Sequence, residues 1–170
     1  LSHIADFDYV IRLPGTDEKG HIRYVAEALF AAVLQSDSRL FFDPLVDLDR
    51  TNDLNNGLLD RLSNPRSAYQ VMQCLNTVLF SEVADYTPLP VQTNDQVRIF
   101  SIESSTRQHL LILPYEDGFD PSGFGGFDLA GEADLVDPVR GLRRTGVLMD
   151  EVNRILTGTD RPYLLSVPCG

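Results

Sequence analysis

Residues 47–60 read DLDRTNDLNNGLLD, with an acidic, amide or hydroxyl side chain at almost every second place. Alternating oxygens are what a calcium loop supplies. Such a loop offers ligands from about positions 1, 3, 5, 7, 9 and 12, with glycine at position 6 for the sharp turn. Counted from Asp47, the residues Asp49, Thr51, Asp53 and Asn55 fall on the required odd places. The glycine place is Asn52, however, and the place of the bidentate acid is Leu58, with Asp60 two residues late. The stretch therefore reads as a polar connection built from Asx turns, and no metal is expected on it.

A second chemical frame lies in GTDEKGHI (15–22), where Gly15 and Gly20 have the spacing of a phosphate loop. The lysine and hydroxyl residue that should follow are His21 and Ile22, and Asp17 and Glu18 would repel phosphate. An acid-rich first helical turn accounts for the same residues, since it suits the positive end of the helix dipole. Lysine occurs once in the chain, at Lys19, so Schiff-base and Ser–Lys mechanisms would have to run through that residue. The G-x-S-x-G elbow is absent, and Ser122 and His109 with Asp120, Asp128 or Asp134 form a set that almost any chain could provide. The three histidines, His3, His21 and His109, are scattered and have no zinc spacing.

Carboxylates are the commonest reactive groups. Glu116, Asp117, Asp120, Asp128, Glu132, Asp134 and Asp137 crowd one region. Acid–base chemistry needs two carboxyls driven to different pKa values by burial, which an exposed glycine-rich loop does not provide unless it folds over a cleft. The same loop, 116–134, carries Phe119, Phe124 and Phe127 among five glycines. Aromatics on a mouldable backbone are suited to docking into a partner's pocket. Arg140, Arg143 and Arg144 follow at what reads as a helix start. That is the wrong end for dipole compensation, so a nearby acidic partner is expected for them. These six residues are the candidate partner-binding set; catalytic, metal and cofactor assignments stay empty.

The elements that must position these groups follow from hydrophobic period. FDYVIRL (7–13) alternates as a strand, a helix runs from Thr16 or Asp17 to about Gln35, and RLFFDPLV (39–46) is a second strand. Together they form a strand–helix–strand unit. A helix capped by Asn64, with Pro65 at its first position, carries Ala68, Met72, Leu75, Leu79 and Val83 along one line. TPLPVQTND (87–95) reads as a spacer. QVRIFSI (96–102) and QHLLILPY (108–115) form a hairpin, and Leu110 to Leu113 suggest a strand covered on both faces. A last helix is expected from Asp137 to about Leu156, with Leu142, Met149, Val152 and Ile155 or Leu156 inward, before a terminal strand PYLLSVP. The expectation is one α+β domain, with a mixed sheet of about five strands packed by about three helices.

Net charge is −11 over 170 residues, which disfavours broad contact with nucleic acid. No apolar run approaches the ~20 residues of a membrane span, and the first residues lack the pattern of a secretion signal, so a cytoplasmic or virion location is expected. Cys74 and Cys169 have no metal or redox spacing. With no assembled catalytic set, the leading expectation is a non-enzymatic structural or adaptor subunit of a multi-protein assembly, docking through 116–134 and the termini. The alternative is a small hydrolase using carboxylates or a divalent metal, with the acidic loop as lid.

Overall fold

The structure, a computed structural model, describes residues 7–13, 17–34, 38–47, 57–80, 85–115, 120–121 and 131–169. Phe119, Phe124, Phe127, Ser122, Asp128 and most of DLDRTNDLNNGLLD lie outside the described residues. The chain divides into two compact units, Leu1–Val83 and Ala84–Gly170.

The first unit follows the order β1 (Phe7–Ile11), α1 (Glu18–Val33), β2 (Ser38–Phe42), α2 (Ser67–Leu79). The strands are parallel, from Phe7 opposite Ser38 to Ile11 opposite Phe42, so the expected strand–helix–strand unit is present. Asp17 starts α1 by accepting the Gly20 amide at 2.8 Å. That side chain occupies the helix N-terminus where a phosphate would have to sit. The apolar stripe of α1, with Ile22, Val25, Ala26, Leu29 and Phe30, is buried, and α1 packs against α2. The buried line of α2 is Ala68, Val71, Leu75 and Leu79.

The start of α2 departs from the sequence reading. The residue preceding its first turn is Arg66, which makes no capping bond of its own. Asn64 instead belongs to a turn in which Asp60 accepts the amides of Leu62 and Asn64, both at 2.8 Å, and the Asn64 side-chain amide at 2.9 Å. The carboxylate of Glu18, from the opening of α1, takes the capping role by accepting the Ser67 amide at 3.3 Å.

The second unit contains β3 (Thr87–Thr93), β4 (Val97–Glu103), β5 (Arg107–Pro114), β6 (Glu132–Asp137), β7 (Leu142–Leu148), α3 (Met149–Leu156) and β8 (Tyr163–Pro168). Its six strands form one sheet in the order β3-β4-β5-β8-β6-β7, antiparallel at every neighbouring pair. One face carries the core of Val97, Ile99, Leu110, Ile112, Leu135 and Leu165, closed by Val152 and Leu156 of α3. Leu111, Leu113 and Leu164 alternate onto the other face and are also fully buried, so the central strands are covered on both sides. The α+β class and the three helices are as expected, while the strands number eight among the described residues and divide between two sheets.

Three sequence readings are corrected here. TPLPVQT is a strand, not a spacer. Its prolines are tolerated because β3 is an edge strand, with a register shift between Leu89 and Gln92. The end of the presumed loop 116–134 enters β6. The helix expected from Asp137 begins only at Met149, because residues 138–148 form a tight turn and β7. Leu142, expected inward, is consequently exposed.

Candidate functional site

The turn between β6 and β7 builds the site. Asp137 pairs with Leu142 across a loop of Pro138, Val139, Arg140 and Gly141. The Oδ1 atom of Asp137 accepts the Val139 and Arg140 amides, each at 3.1 Å, and Gly141 closes the turn at φ +64°. Proline after the aspartate and glycine at the left-handed place are what such a hairpin requires. Farther along β7, Gly146 has φ +62° beside a register shift between Ala133 and Leu135, the signature of a glycine bulge. Both glycines fall within the stretch expected to be helical, and both are backbone devices of a hairpin.

This hairpin places the three candidate arginines on strand and turn. Arg143 donates to Asp134 at 3.0 Å, Arg144 donates to Glu151 at 3.2 Å, and Arg140 lies 3.9 Å from Asp137. Asp134 is buried on β6. Its Oδ2 also accepts from Arg107 at 2.9 Å, and its Oδ1 accepts the Gly146 amide at 3.3 Å. Both oxygens are thus engaged in holding β5, β6 and β7 together.

Asp134 and Asp137 had been counted in one acidic crowd. Three residues apart on a strand, they project from opposite faces of the sheet. They do not form a catalytic pair. Ser122, the serine of the serine–histidine–aspartate combination, lies outside the described residues, and the serine that the sheet brings to His109 and Asp134 is Ser166. Ser166 of β8 stands directly between His109 and Asp134 in the sheet register, and all three are buried. A proton relay needs the imidazole between the hydroxyl and the carboxylate, and here the serine occupies that place. His109 packs edge-on against Tyr86, with ring centroids 5.6 Å apart.

On the α3 face, Asp137 lines a cavity of about 130 Å³ with Leu135, Arg140, Leu142, Arg144, Ile155 and Tyr163. The Asp137 side chain is only 8% exposed. Its Oδ2 lies 3.9 Å from both Arg140 Nε and Arg161 Nη1, too far for a hydrogen bond to either. Burial, followed by the nearby Asp137 charge, pushes the Tyr163 phenol above its ordinary range. The cavity thus combines a largely buried carboxylate side chain, a neutral phenol, a rim of guanidinium groups and apolar walls. Among the described residues, no cluster of three histidine, cysteine or acidic side chains could hold a metal.

In the first unit, the described ends of DLDRTNDLNNGLLD serve structure. Asp47 is buried, accepts the Gly57 amide at 2.7 Å and pairs with Arg66. Arg12 and Asp43 form an exposed ion pair at 3.4 Å, one residue beyond the carboxyl ends of β1 and β2. Around these strands Val10 and Phe41, register partners, are 58% and 47% exposed, and Tyr9 and Leu45 are exposed as well.

No protein family and no curated protein matches this sequence. Among solved structures, the chain is similar in fold to a family 39 glycoside hydrolase from the gut symbiont Bacteroides cellulosilyticus WH2, with a TM-score of 0.54 at 16% identity. The likeness covers 89% of this chain and 31% of that one, so the chain spans about a third of the hydrolase's length.

Proposed function

We propose that this chain is a carbohydrate-acting module, contributing to a protein that hydrolyses glycosidic bonds. The observation that carries the reading is the fold likeness to a glycoside hydrolase over 89% of the chain. The open parallel ribbon of the first unit supports it. Parallel strands are ordinarily buried on both faces within larger sheets of alternating strands and helices. Here two parallel strands leave Val10 and Phe41 exposed, and among the described residues neither outer edge meets a third strand. In this reading the ribbon is one portion of a wider parallel sheet. Ligands of such sheets gather at the carboxyl ends of the strands, where Arg12 and Asp43 stand.

Glycoside cleavage commonly uses two carboxyl groups about 5–5.5 Å apart for retention or about 6.5–9.5 Å apart for inversion. The cavity of the second unit has one lining carboxylate, Asp137. Bond cleavage is therefore assigned away from that cavity, which is left a binding role. The adaptor expectation drew on phenylalanines outside the described residues, and nothing among the described ones favours an assembly or virion role over this reading.

The test is capture of the protein from its natural source with antibodies raised against the chain, followed by mass measurement and assay on a panel of aryl glycosides. The expected result is turnover of at least one glycoside by a species larger than 170 residues. Capture of the bare chain, or of a larger species inert on every glycoside, overturns the reading.

A further inference from the structure

We draw no further inference here: the strongest candidate, the exposed face of the β1–β2 ribbon on which Val10 and Phe41 lie between the Asp8–Arg39 and Arg12–Asp43 ion pairs, belongs to the wider sheet already proposed, and nothing in the structure shows what else covers it.

Discussion

A glycine in an otherwise polar run can matter more than the acids beside it. A Cβ built on Gly57 would lie 2.6 Å from Asp47 N, 2.7 Å from Val46 C and 2.8 Å from Leu59 O. Every one of those atoms is backbone, held by the bonds between Asp47 and Leu59 and between Leu59 and Leu45. No flexible side chain is available to yield. Gly57→Ala is therefore expected to destabilise the chain by about 2–4 kcal/mol, beyond ordinary overpacking, as read by urea unfolding. An unchanged midpoint would mean that the close approach of the two segments is absent. Tyr163 makes a second case at this scale. Its phenol is raised by burial and by Asp137, so folding favours the neutral form. A group raised on folding contributes stability that is complete below its unfolded pKa and lost as pH rises through the folded one. Stability should fall on the alkaline side of the ordinary tyrosine range, and Tyr163→Phe should flatten that fall. An identical alkaline slope in the variant would remove Tyr163 as the cause.

At the level of elements, α2 borrows its cap from α1. Hydrogen bonds from Ser67, the side chain first and then the backbone, hold the Glu18 carboxyl below its ordinary range against a smaller opposing effect of burial. A depressed carboxyl contributes stability present above its unfolded pKa and lost as pH falls through the folded one. Since Glu18 is mostly exposed, its replacement by glutamine should cost only about 0.5–1 kcal/mol at neutral pH. The cost should vanish in acid, which paired urea titrations of parent and E18Q at neutral and acidic pH would measure. The sequence announced α1, β4, β5 and β8 plainly, because their apolar residues keep a helical or strand period. It did not announce the Glu18 cap, which joins residues 49 apart in the chain. The second hairpin was hidden for a different reason. β6 carries Glu132, Asp134 and Asp137 in six residues and reads as polar. Only the folded chain brings Arg107 and Arg143 to Asp134 and turns the Asp137 carboxylate onto its own loop amides. The signal that could have found this turn is Asp-Pro-x-x-Gly followed by a second glycine three residues before a short amphipathic helix. The cavity was illegible for the same reason, since four separate elements line it.

Across the whole molecule the two units bury their strands very differently, and that contrast is measurable. β5 and β8 lie inside a six-stranded sheet with Leu111, Ile112, Leu113 and Leu164 fully buried and hydrogen-bonded neighbours on both sides. β1 and β2 have one neighbour each among the described residues, with Tyr9, Val10 and Phe41 exposed. A parallel pair is also slightly weaker per residue than an antiparallel one. Amides open to exchange with free energies that range from nearly zero to that of global unfolding, in step with burial and pairing. In the isolated chain, amides of β1 and β2 should therefore exchange on the order of 100-fold or more faster than those of β5 and β8. Hydrogen–deuterium exchange read by mass spectrometry resolves such a gradient. The same measurement on the larger species expected at natural source gives the contrast its functional meaning. Additional parallel strands on the ribbon would supply partners for its open edges, and the helices that connect such strands would cover Val10 and Phe41, so protection of β1 and β2 should rise towards that of β5. Equal and strong protection of all four strands in the isolated chain would show that the ribbon needs no further strands. The support it lends to a wider parallel sheet would then be lost, leaving the fold likeness to stand alone.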